Sequence, residues 1–303
     1  MYQAHNGFRL CIWDRRLQMN WRKASWRIGI GIATGLAFGL FFVAALHAFQ
    51  RPFHQYPGVE YRNFEVPPDL EAPFEFAFAR LMYPPGPLDG YYPRFQGDWH
   101  HGLSLWTQDY PRADRHFSLA LRRLSRVQVR SVEQPVQLED GDEVYNWPWL
   151  YAVQVGEWGL NEAEAQIMRE YLLRGGFFMA DDFHGFDEWA EFEKRIKFVF
   201  PDRPIEDISD SDPIFHTVYD LDDRIQVVGH DHLREGSKNG AYGGVGAHWR
   251  AIYDDHRRVM VAISYNSDLG DGWEWADDPY YPERFSGMAI RIGVNYVLYA
   301  MTH

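Results

Sequence analysis

The sequence predicts an α/β domain built on a largely parallel sheet with helices on both faces, preceded by one N-terminal transmembrane helix. Three observations lead there. Between residues 74 and 303, short apolar runs alternate with stretches of helical periodicity, the pattern of strands joined by crossover helices. Residues 28–49 carry no formal charge, and about 20 apolar residues span a bilayer core. Aromatic residues make up 17% of the 303-residue chain, ample for a sizeable core and incompatible with a disordered polymer.

The chain divides into a basic N-terminal segment (1–27), an anchor (28–49), a Pro-rich linker (50–73) and one exported domain (74–303). Arg9, Arg15, Arg16, Arg22, Lys23 and Arg27 precede the anchor against the single acid Asp14, whereas acids dominate after it. The positive-inside rule therefore places the N-terminus in the cytoplasm and the domain outside, in a bacterium on the periplasmic side of the inner membrane. A cleaved signal peptide is the rival reading, with Leu46, His47 and Ala48 as its cleavage site and Met19 as an alternative start. The apolar run exceeds the 7–15 residues of a signal h-region, which favours an uncleaved anchor. Gly31, Gly35 and Gly39 repeat at spacing four, the small-residue ridge on which a second membrane helix can pack. Pro52, Pro57, Pro67, Pro68 and Pro73 hold the linker extended.

Within the exported part, Phe74, Phe76 and Phe78 alternate as in a strand. Residues 79–111, rich in Pro, Gly and aromatics, read as irregular. Ala113, Phe117, Ala120, Leu121 and Leu124 form one face of a helix. Val127 and Val129 begin a strand closed by Pro135, and residues 149–155 form another. Asn161 and Glu164 make an N-x-x-E capping box. Behind it, Leu160, Ala163, Ile167, Met168, Tyr171 and Leu172 point inward until Gly175 and Gly176 end the helix. A buried strand over 177–180 leads into Asp181 and Asp182. Residues 187–197 read as helix, and 225–228 as a short strand. Residues 250–253 and 259–265 read as two strands, and Phe285, Ala289, Ile292, Tyr296 and Ala300 as the buried face of a final helix.

Composition excludes several functions. The net charge is −13, from 30 Lys+Arg against 43 Asp+Glu. Residues 1–50 hold six basic groups and one acid, a net +5, so 24 against 42 leaves −18 for the remainder. Phosphate binding needs a basic footprint, so no nucleic-acid partner is expected. Such a domain is drawn instead to cations or basic surfaces. Cys11 is the only cysteine, which rules out an intrachain disulfide framework and a Cys-based zinc cluster.

W-T-Q-D-Y-P-R-A-D (106–114), G-G-F-F-M-A-D-D (175–182), D-P-I-F (212–215) and G-V-N-Y-V-L-Y-A (293–300) together resemble one bacterial domain-of-unknown-function family. That family often forms the C-terminal part of aerotolerance-regulator-type membrane proteins. Its fold is similar to class I glutamine amidotransferases and the trehalose-utilisation-protein-like group. Over residues 74–303 the resemblance implies a flavodoxin-like sheet and no established activity. Class I amidotransferases use a Cys nucleophile on a strand-to-helix elbow. Here that elbow reads Gly156, Glu157, Trp158, Gly159, and Cys11 lies before the anchor. Cys-type glutaminase chemistry is therefore excluded, and no G-x-S-x-G elbow replaces it.

Asp181, Asp182 and His184 are the leading catalytic candidates. They follow a parallel strand at its carboxyl end, where open α/β sheets bind ligands, and a His occupies a similar place in the trehalose-utilisation-like relatives. Adjacent carboxylates near a His suit a general base with its orienter, or a divalent metal. The competing reading makes Asp181 a helix cap. His230 and His232 share a face if extended and offer two metal ligands, with His100, His101 and His216 as possible completions. Residues 266–274 are rich in oxygen ligands without the EF-hand spacing and read as a solvated turn. Trp273, Trp275, Tyr280 and Tyr281 beside it can pack over the sheet, stack on a sugar or line a partner interface. The glycines of 240–246 lack the G-x-G-x-x-G order and read as a loop. Asp109 and Asp114 read as acids serving a helix N-terminus. No cofactor is predicted, though a divalent metal fits the acids. The expected function is a membrane-anchored, periplasm-facing, non-catalytic interaction module. It would be an accessory subunit contacting other membrane proteins through the anchor and the exported aromatic residues. The alternative is a metal-dependent or acid/base hydrolase acting on a carbohydrate or cell-envelope substrate through Asp181, Asp182 and His184.

Overall fold

The computed structural model describes residues 52–90, 98–234 and 246–303. All fall in the second of the chain's two compact units, Pro52–His303. The anchor with Gly31, Gly35 and Gly39, the basic head and most of the 240–246 glycine segment lie outside the described residues. Among the described residues no helix is long and apolar enough to cross a membrane.

Seven strands form one mixed sheet: β1 (Ala79–Met82), β2 (Gln134–Gln137), β3 (Trp149–Ala152), β4 (Phe177–Ala180), β5 (Glu206–Asp207), β6 (His248–Tyr253) and β7 (Val259–Tyr265). Their spatial order is β2-β1-β3-β4-β7-β6-β5. The first five run parallel. β6 and β5 continue the sheet antiparallel, because the turn after β6 is too short for a crossover. Six helices accompany them: α1 (Arg112–Leu124), α2 (Glu162–Leu173), α3 (Gly185–Val199), α4 (His230–Arg234), α5 (Leu269–Glu274) and α6 (Glu283–Thr302).

Side chains alternate along each strand and feed two cores. Leu150, Ala152, Phe178 and Ala180 join Met168, Leu172, Phe192 and Ile196 of α2 and α3 on one side. Trp149, Tyr151, Phe177 and Met179 join Phe117, Trp273, Ile292 and Tyr296 of α1, α5 and α6 on the other. This is why the parallel strands read as unbroken apolar runs. The capping box forms as expected. Asn161 accepts from the N–H groups of Ala163 and Glu164, and Glu164 accepts from Asn161 N–H. Ala163, however, is exposed and Ala165 takes the inward position.

Several expectations shift. The first strand lies at 79–82, inside the stretch expected to be irregular, while Phe76 forms an isolated bridge with Val129. Pro135 sits within β2 rather than closing it, which is tolerated because β2 is an edge strand. Residues 225–228 form no strand: Val227 N–H donates to the Ser267 hydroxyl, so no ladder develops. Leu124 is exposed. Residues 52–73 contain no helix or strand, yet they are strapped onto the domain rather than free. Leu103 N–H donates to Pro57 O at 2.8 Å, Val59 N–H to Thr107 Oγ1 at 3.1 Å, and Arg115 to Glu65 O at 2.6 Å.

Candidate functional site

The carboxyl ends of β3, β4 and β7 open into one cavity of about 220 Å³. Glu60, Asp109, Asp182, Asp268 and Asp271 line it together with Gln108, Gln154, His184, His230, Asp231, His232 and Trp275. Among the described residues no lysine or arginine lines it. Three of the lining residues, Asp109, Gln154 and Asp182, take left-handed backbone conformations with φ of 60°, 53° and 51°. Asp tolerates this region better than most residues, and such conformations gather at functional sites.

Asp182 leaves β4 beside His184. Its Oδ1 meets His184 Nε2 at 2.8 Å, and its Oδ2 accepts from Gln154 Nε2 at 2.6 Å. Burial lowers the His184 pKa to about 4, so at neutral pH the imidazole is uncharged and the contact is a hydrogen bond rather than an ion pair. Burial, reinforced by Asp271, raises Asp182 to about 7. The backbone N–H of His184 donates to Glu188 of α3.

Asp181 has a different task. Its Oδ2 accepts from Tyr151 Oη at 3.0 Å and from the N–H groups of Leu269 and Gly270 at 3.0 and 2.9 Å. It caps α5 and fastens that helix to β4, which is the capping reading of the sequence transferred to a helix nearly ninety residues away. Asp181 thus ties α5 to β4 and does not line the cavity.

The acid-rich stretch 266–274 is not a solvated turn. It forms the buried helix α5, whose N-cap Asp268 accepts from Asp271 N–H at 2.8 Å. Asp268 and Asp271 thereby face Asp182 across the cavity, and Asp271 Oδ2 accepts from His230 N–H at 2.6 Å. Asp109 arrives from the segment after β1, and Glu60 from the strap. Glu60 accepts from Gln108 Nε2 and Asp109 N–H, both at 2.8 Å. Desolvation of its carboxylate raises Glu60 to about 7. Asp109 and Asp268 are pushed well above the usual range, mainly by burial and then by neighbouring acids. Glu274, bonded to Tyr61, rises to about 9 for the same reasons.

The histidine pair behaves otherwise than expected. His230 and His232 lie in the short helix α4, not an extended segment, and residues two apart on a helix point to different sides. His232 approaches His184, with ring centroids 5.9 Å apart. His230 stacks on Trp275 at 3.9 Å. Both line the cavity, but the groups placed to hold a metal are acidic: Asp109, Asp182 and Asp268, or Glu60, Asp109 and Glu274. His100 pairs with Asp98, and His216 with Asp220, away from the cavity.

Of the four aromatic residues proposed to contact a sugar or a partner, Trp273 is fully buried and Tyr281 nearly so. Trp273 packs 4.5 Å from Phe117. The Trp275 ring stacks on His230 and lies 4.6 Å from the Arg112 guanidinium. Only Tyr280 is fully on the surface.

Sequence reasoning missed Glu60 and gave Asp109, Asp268 and Asp271 ordinary structural tasks. The D-x-x-D spacing of Asp268 and Asp271 is a visible signal once residues 266–274 are taken as a capped helix. Glu60 carries no local signal.

No curated protein matches the chain. The sequence profile of a domain of unknown function, DUF4159, matches residues 99–301. That span covers β2 through β7, all six helices and every residue of the cavity wall except Glu60. On this match over two thirds of its length, the chain belongs to the DUF4159 family.

Proposed function

We propose that this protein is a membrane-tethered, outward-facing hydrolase whose general base is His184, oriented by Asp182, acting on a neutral or cationic carbohydrate or cell-envelope substrate. The observation that carries the reading is the 2.8 Å contact between His184 Nε2 and Asp182 Oδ1, buried in a cavity at the carboxyl ends of parallel strands. The bond to Asp182 fixes the ring of His184, as a positioned base requires. The order of the five parallel strands supports a flavodoxin-like sheet, in line with the amidotransferase-like resemblance and with a ligand site at this edge. The tether and the inner-membrane, periplasm-facing placement rest on residues 28–49 and the charge reversal around them.

The interaction-module reading ranks second. Two of its four aromatic residues belong to the core, and its remaining support is the glycine ridge at 31, 35 and 39 with the exposed Tyr280. The test is turnover by the full chain in detergent on chromogenic glycosides and esters. Hydrolysis of one class should fall by about 10²-fold or more in His184→Gln, with circular dichroism unchanged. Activity that persists in His184→Gln, or absence of turnover on every class, overturns the hydrolase reading.

A further inference from the structure

We infer that the cavity binds one divalent, oxygen-preferring cation between the carboxylates of Asp109, Asp182 and Asp268. The inference rests on the preceding reading for its site and deepens it by naming a cofactor class.

Acids in a cluster do not by themselves make a cation site, and the decisive group is Asp109. It is only 1% exposed and lines the cavity. Its Oδ2 is buried and meets no hydrogen-bond donor among the described residues. Leaving a buried carboxylate oxygen unbonded costs about 1–3 kcal/mol or more, and each such group in a folded protein needs an explanation. A cation supplies it.

The geometry is compatible. One oxygen from each of the three carboxylates lies within 4.8 Å of the other two. Three points so spaced share a centre at most about 2.8 Å from each, and a shift of a few tenths of an ångström reaches the 2.3–2.6 Å of calcium–oxygen bonds. All-carboxylate ligands select hard ions and disfavour soft ones. The alternative trio of Glu60, Asp109 and Glu274 shares Asp109 but is less prepared. Glu60 is exposed, whereas Asp109, Asp182 and Asp268 are all buried. Gln154 and His184 each bond one oxygen of Asp182, contacts that fix a ligand's orientation.

The experiment is calorimetric titration of the chelator-treated full chain in detergent with calcium, magnesium or manganese chloride, paired with thermal unfolding. At least one ion should bind near one per chain and raise the melting temperature. Asp109→Asn, which tolerates the same left-handed backbone, should weaken binding by at least about tenfold and abolish the thermal shift. Asp268→Asn keeps the α5 cap and should do the same, so the test survives if the first variant does not fold. The exposed Asp223→Asn should bind as wild type does. No saturable binding of any of the three ions, or undiminished binding by both folded cavity variants, overturns the inference. Heat and melting are read without turnover. A chain that binds the ion but hydrolyses nothing overturns the hydrolase reading alone, and an active chain that binds no ion overturns this one alone.

Discussion

Arg80 is wholly buried, a costly placement for a guanidinium. It makes a bidentate ion pair with Asp114 and donates to Trp106 O and Gln108 O at 3.1 and 3.0 Å. Those carbonyls belong to the segment that delivers Asp109, so Arg80 holds one wall of the cavity through the backbone. Burial still raises Asp114 to about 6, against the pull of Arg80. Arg80→Met strands the Asp114 carboxylate and should destabilise by about 3–5 kcal/mol in urea unfolding. The double variant Arg80→Met with Asp114→Leu should recover part of that loss, and equal losses in the two would contradict the pairing. From sequence, Asp109 and Asp114 looked alike, two acids near a helix start. Their partner in one case and its lack in the other depend on Arg80, whose proximity only the parallel sheet creates.

The capped helix α2 shows an element whose local signals suffice. Asn161 and Glu164 specify its start, and the structure realises both bonds. The box also titrates. Burial raises Glu164 from 4.5 to about 7, so between those values the folded state holds a proton that the unfolded chain releases. Stability from this group is complete below pH 4.5 and is lost as pH rises through about 7. Glu164→Gln keeps the capping oxygen. It should leave stability near pH 4 unchanged and raise it at pH 8 by about 1–3 kcal/mol, measured by urea midpoints. An unaltered midpoint at pH 8 would show that the carboxyl is not the titrating group. Helix α5 is the contrary case. Its six residues include two glycines and two acids, a composition that local propensity assigns to a turn. Asp181 donates no local clue to its role, because the capping carboxylate comes from β4, 88 positions before Leu269. Strong periodic elements were therefore readable, whereas short ones held by distant side chains were not. The cavity is built mostly from the latter.

At the level of the whole unit, the strap of residues 52–73 turns an apparent spacer into part of the domain. Arg115 binds it through Glu65 O and Gln55 Oε1 while pairing with buried Glu133. Arg62 on the strap is exposed. Arg115→Ala should speed tryptic cleavage after Arg62 several-fold, followed by mass spectrometry of the fragments, because cleavage tracks local opening. Unchanged cleavage would mean that Arg115 does not hold the strap. Proline content foretold the absence of regular structure here. It carried no information about docking, which depends on Thr107, Tyr110 and Arg115 far along the chain.

The two ends of the sheet have a consequence for crowding. β2, at one edge, contains Pro135, which offers no N–H to an incoming strand. β5, at the other, is two residues long, too brief to template another chain. Neither margin invites strand-by-strand accretion, so many copies can be concentrated side by side without fusing their sheets into fibrils. Among the described residues, the sheet edges therefore favour self-association through side-chain surfaces over strand pairing.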